Sequence, residues 1–113
     1  MAVNGVPQHE GGYAVVHRWR VRPGYEDLFV EGWTRVAHAA HRFSGGYGSR
    51  LHRAEDGVWM SYARWPDKEA GDRGGQEDAE GAAMMSVSVE ESLPVMHLEI
   101  VADLLAEPGT TAG

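Results

Sequence analysis

One change of period constrains this chain more than anything else in it. Residues 12–22 alternate, with Tyr13, Val15, His17, Trp19 and Val21 on one side and Ala14, Val16, Arg18, Arg20 and Arg22 on the other. That is the two-residue repeat of a strand. Pro23-Gly24 ends it. Over residues 25–43 the apolar positions follow helical spacing instead: Phe29, Trp33, Val36, Ala40 and Phe43 fall in one stripe. Asp27, Glu31, Thr34, Arg35, His38 and Arg42 take the other side. Glu26 and Asp27 suit the positive end of the helix dipole, His41 and Arg42 its negative end, and Glu31–Arg35 is a favourable i,i+4 pair. A chain of 113 residues that begins strand, tight turn, long amphipathic helix is one domain of mixed α and β structure.

The remaining segments complete a pattern. "SGGYG" stops the helix, 47–53 reads as a strand, "AEDG" as a hairpin turn and 58–65 as a second strand. Pro66 with "DKEA" opens a short helix. Residues 71–81 are glycine-rich and acidic, which predicts a mobile loop, and 82–93 predicts a second helix. Residues 94–105 alternate again and predict a last strand. The order is β-α-β-β-α-β, a ferredoxin-like α+β fold with a four-stranded antiparallel sheet and both helices on one face. The domain spans 12–105, between a loose arm at 1–11 and a frayed tail at 106–113. Such a sheet would expose Val16 and its neighbours on the uncovered face, and a second copy of the chain is the simplest cover. A homodimer is therefore expected.

Composition narrows the function. Seventeen acidic residues against ten basic ones, a single Lys among them, give a formal charge of −7 and no basic cluster, so nucleic acid is not an expected partner. There are no cysteines, which excludes disulfides, thiolate metal sites and cysteine nucleophiles and fits a reducing cytoplasm. The start "MAVNGVPQHEGG" lacks the basic and apolar regions of a signal peptide, and no run of eighteen apolar residues occurs. A cytoplasmic protein without membrane attachment is the expectation.

Four stretches, "YAVVHRWRVRPGYEDLFVEGW", "GGYGSRLHRA", "VWMSYARWPDKEA" and "PVMHLEIVADLL", resemble the antibiotic biosynthesis monooxygenase domain of the dimeric α/β-barrel superfamily, over residues 13 to 105. The strand–Pro-Gly–helix junction and "RWPDKEA" carry most of that likeness. The resemblance implies a homodimer whose sheets form a barrel, with a cleft between sheet and helices in each subunit. It also implies oxidation of small aromatic or quinol-like substrates by O2 without flavin, metal or haem cofactor.

On that resemblance Trp65 matches a strand-end Trp of the cleft, where a flat indole could stack on a planar substrate; as a plain core Trp it would pack helix onto sheet. His17 stands where relatives carry Asn. Unlike Asn, an imidazole can take a proton near neutral pH, which suits formation of an electron-rich substrate anion; alternatively it is a strand His satisfied by its neighbours. His17 and Trp65 are thus the catalytic candidates, with Trp19, Trp33 and Tyr25 as substrate-binding candidates. The absent Asn, and a second helix with no His to ligate iron, speak against a haem-degrading relative. Arg18 and Arg20 are expected to form a charge ladder with Glu99 and Asp103 on the last strand. The i,i+3 pair His38 and His41 reads as solvated rather than metal-binding. Met84 and Met85 read as core filler. A non-catalytic dimer that binds a small hydrophobic ligand or acts as a stress-linked accessory protein is the other class that fits.

Overall fold

Alternation at the start of the chain becomes strand β1, Tyr13–Val21, and the stripe after Pro23-Gly24 becomes helix α1, Glu26–Phe43. Gly24 sits at φ 89°, a backbone state that a side chain would strain, so the turn needs its glycine. The computed structural model describes residues 12–74 and 77–105. The expected 1–11 arm and 106–113 tail, and residues 75–76 of the expected loop, lie outside the described residues.

Beyond α1 come β2 (Gly48–Arg53), β3 (Trp59–Trp65), α2 (Lys68–Arg73), α3 (Ala79–Ser88), β4 (Val89–Ser92) and β5 (Met96–Glu99). The sheet runs β2-β3-β1-β4, antiparallel throughout, and β5 also pairs with β1. Among the described residues five strands therefore stand where four were expected. The added one arises because the edge row is broken in two. β4 pairs with Trp19–Val21, β5 pairs with Tyr13–Val16, and Pro94, which has no N–H to offer a ladder, lies between them. Leu93 N–H still donates to the Arg18 carbonyl at 3.0 Å and keeps the two halves in line.

Helix boundaries differ from the expectation for a local reason. Asp67 accepts from Ala70 N–H at 2.8 Å and Asp78 from Gly81 N–H at 3.0 Å, so each Asp caps a helix. The caps draw residues 71–73 into α2 and 79–81 into α3, which shortens the expected 71–81 loop. They also place Pro66 before the cap rather than inside the helix. α3 then ends at Ser88, not near 93. Arg35 of α1 reaches Asp78 at 3.1 Å and Glu80 at 3.2 Å, with Glu31, expected from spacing, as a weaker favourable charge beside it. At the α1–α3 crossing a Cβ on Gly32 would lie 2.8 Å from the Gly81 carbonyl oxygen, so the two backbones touch through glycine.

The core is aromatic at one end and mixed at the other. Phe29 is fully buried, edge-on to Trp19 at 5.1 Å and to Trp59 at 5.5 Å. Val15, Ala40, Trp65 and Ala70 form a second cluster. Phe43, expected on the buried stripe, is 67% exposed beneath the Arg42 guanidinium. Val16, expected to lie bare on the helix-free face, is only 6% exposed. Its cross-strand partners there are Tyr62 and Met96, large side chains flanking a small one.

The expected charge ladder also forms differently. Arg20 meets Glu91 of β4 at 3.6 Å, Arg18 donates to the Pro94 carbonyl at 3.4 Å, and Asp103 pairs with Arg64 of β3 at 3.5 Å. The broken edge row is the cause: it sets β4 beside Arg20 and turns Glu99 toward Tyr13. No helix among the described residues is long and apolar enough to cross a membrane.

Candidate functional site

Strand alternation sends His17 and Trp19 of β1, and Ser61, Ala63 and Trp65 of β3, toward the helices. Opposite them α1 contributes Trp33 and the smaller Val36, Ala37 and Ala40. A cavity of about 280 Å³ remains between these walls. Gly71 of α2, Gly74 just after it and Met85 of α3 complete it. Past Trp19, Ala82 and Met85 it adjoins a shallower hollow of about 410 Å³ that opens to solvent beside Glu90, Glu91 and Ser92. The smaller space is the better binding site, because it is the more enclosed and its walls are mostly apolar.

His17 lies on the floor, its ring stacked on Trp19 with 5.7 Å between centroids and 6° between planes. Burial, and secondarily the nearby His97, hold its imidazole below the ordinary histidine value. It is therefore neutral at pH 7 and able to accept a proton. Directly across the ladder stands Ser61, 4% exposed, whose Oγ accepts the Trp33 Nε1–H at 3.0 Å. A serine oxygen engaged in this way keeps its own proton to donate. His17, Ser61 and Trp33 thus form one polar end in an otherwise apolar slot.

Trp65 forms the other end. It is 6% exposed, belongs to the second core cluster and also lines the cavity, so both readings of it hold at once. Three glycines make room for its ring. A Cβ on Gly46 would lie 3.2 Å from it and one on Gly71 3.3 Å, while one on Gly74 would overlap it outright. Its Nε1–H is buried with no hydrogen-bond partner among the described residues. Leaving such a donor unmet costs roughly 1–3 kcal/mol.

Four of the five sequence candidates, His17, Trp19, Trp33 and Trp65, meet in this cavity. Tyr25 does not. Its N–H closes a turn onto the Arg22 carbonyl at 3.0 Å, and it caps the start of α1 with 41% of its surface exposed, away from the lining. Spacing alone missed Ser61 as a polar group and His41 as a lining residue. Met84 backs onto Gly32 as core filler, whereas Met85 faces the cavity. Among the described residues no group of three or more His, Asp or Glu is placed to hold a metal ion.

Comparison with known proteins follows the same lines. The sequence model of the antibiotic biosynthesis monooxygenase family matches residues 12–81. No curated protein sequence is matched by the chain. Among solved structures, SnoaB of Streptomyces nogalater, a cofactor-independent oxygenase, is 20% identical with a TM-score of 0.67, over 86% of this chain and 99% of that one. NE2512 of Nitrosomonas europaea, a protein of unknown function, is 17% identical with a TM-score of 0.70, over 88% and 99%. Rv0793 of Mycobacterium tuberculosis is 18% identical with a TM-score of 0.67, over 81% and 97%. At these identities the structures share the fold.

Proposed function

Because the chain belongs to the antibiotic biosynthesis monooxygenase family, we propose that it oxidises a small planar aromatic or quinol-like substrate with O2, without a cofactor, in the cavity between α1 and the sheet. The observation that carries this reading is the joining of a neutral, half-buried imidazole, His17, with flat indole walls in one mostly apolar slot. The likeness of fold to SnoaB, a cofactor-independent oxygenase, supports it.

The chemistry asks little of the protein beyond positioning and a base. His17 accepts a proton from the bound substrate, and the anion left behind is electron-rich enough to reduce O2 directly. When a ring CH2 becomes a carbonyl, one oxygen atom stays on carbon and the other leaves as water with both hydrogens. No external reductant is needed. The Ser61 hydroxyl steadies the anionic oxygen, and the walls exclude bulk water that would quench the anion.

The working unit in this proposal is a homodimer. Val95, Met96, Val101, Leu104 and Leu105 remain exposed on the single chain, Val101 and Leu104 at more than 80%. That is apolar surface suited to cover by a second copy.

Oxygen uptake tests the reading. Purified protein mixed with a panel of anthrones and naphthohydroquinones is expected to consume O2 faster than the autoxidation blank, saturably in substrate. Saturable binding with uptake no faster than the blank would instead make the protein a ligand carrier.

A further inference from the structure

The cavity is polar at both ends, and the two ends differ in kind. Ser61 and Trp65 stand four residues apart on β3, a separation of about 13 Å at the usual strand rise. Ala63 lies between them on the same face, so the middle of the slot is apolar. At the Ser61 end the offered group is a donor, since Ser61 Oγ already accepts from Trp33. At the Trp65 end stands His41, in the last turn of α1, exposed to solvent at the rim of the cavity. Its Nδ1 lies 2.7 Å from the Gly46 carbonyl oxygen. A carbonyl oxygen only accepts, so Nδ1 carries the proton, and in the neutral ring Nε2 is left as a bare acceptor. Gly46 itself is held by its N–H on the Ala40 carbonyl at 3.3 Å and by the Trp65 ring, which fixes the imidazole's orientation. Among the described residues the ionisable ones of the lining are His17, His41 and Arg64, with no carboxylate.

We infer that His41 is a ligand-binding residue whose Nε2 accepts a hydroxyl hydrogen at the cavity mouth. The slot thereby selects ring systems with a hydroxyl at one end and an acceptor oxygen at the other, the acceptor facing Ser61. This rests on the proposed use of the cavity as an aromatic cleft and adds what that proposal lacks, a direction. The ligand enters with its acceptor oxygen first and leaves its hydroxyl at the mouth. A ring bearing an ether or no oxygen at that end leaves Nε2 unmet and is bound more weakly.

The test uses three probes that differ only at the mouth end: 6-hydroxy-1-tetralone, 6-methoxy-1-tetralone and 1-tetralone. By calorimetry the intact protein is expected to bind the hydroxy compound about tenfold more tightly than either of the others, a difference of about 1.4 kcal/mol. Two variants separate the nitrogens. His41→Asn can keep the hydrogen bond to the Gly46 carbonyl but has no group at the Nε2 position, and it should bind all three probes alike. His41→Gln places an amide oxygen near that position and should retain a preference for the hydroxyl. An unchanged preference in His41→Asn overturns the inference while leaving the cleft intact. If no tetralone binds the unaltered protein, the aromatic-cleft proposal falls together with it.

Discussion

His17→Ala is expected to slow substrate oxidation by about 10²- to 10⁴-fold, the usual contribution of a positioned general base, while ligand affinity changes only a few-fold. The ring stacks on Trp19 and faces Ser61, yet its removal leaves the indole walls standing. Because burial and His97 hold its folded-state value below the ordinary 6.5, the rate should stay flat as pH falls to that point and decline only beneath it. The same shift makes stability depend on pH. Below 6.5 the unfolded chain takes up a proton that folded His17 resists, so the fold weakens with acidification until the folded imidazole is itself protonated. Comparing the initial rates and melting curves of both proteins between pH 5 and 8 checks both statements. An unchanged rate in His17→Ala removes the imidazole from the mechanism.

Phe29→Ala carries the largest expected loss of stability, about 3–5 kcal/mol. Phe29 is the fully buried hinge of the Trp19–Phe29–Trp59 aromatic row that joins α1 to β1 and β3. Truncation leaves a hole between two indoles that cannot close, because both are anchored in the sheet. Trp19 also walls the cavity, so the variant should lose ligand affinity as well as denaturation midpoint. Urea unfolding gives the first quantity and ligand titration of the still-folded protein the second. A loss below 1 kcal/mol would show that this row does not hold helix to sheet.

What could be read from the residues was whatever depends on period and on strong breakers. The alternation through β1, the turn at Pro23-Gly24 and the stripe of α1 are each dictated by a few neighbouring residues, and they set His17, Trp19 and Trp33 on the faces that line the cavity. Trp65 followed from strand parity once β3 was in phase. Short elements held by one side-chain bond were harder to see. The Asp67 and Asp78 caps start α2 and α3, and the spacing of Asp78 to Gly81 was the available signal for the second. Alternation over 94–105 predicted one long strand, but Pro94 divides the edge row and β5 stops at Glu99. Apolar periodicity marks which face is covered, not how long the backbone ladder lasts.

Polar roles were the least visible. Ser61 read as a small residue that leaves space; its hydroxyl gains meaning only because Trp33, on another element, donates to it. His41 read as a solvated helix-end cation, which is its usual role. The Gly45-Gly46 turn brings a carbonyl back onto its ring and sets it at the mouth. Tyr25 lies off the cavity lining, since an aromatic at the head of an amphipathic helix lies at the end of the packed face rather than over it.

The most direct measurement follows the four tryptophan indole N–H resonances during titration with a naphthohydroquinone under anaerobic conditions. Trp19, Trp33 and Trp65 line the slot and Trp59 does not. A planar aromatic bound between α1 and the sheet must shift the first three and leave Trp59 nearly still. Saturable binding that moves Trp59 alone, or none of the four, would place the ligand elsewhere and contradict the proposed site.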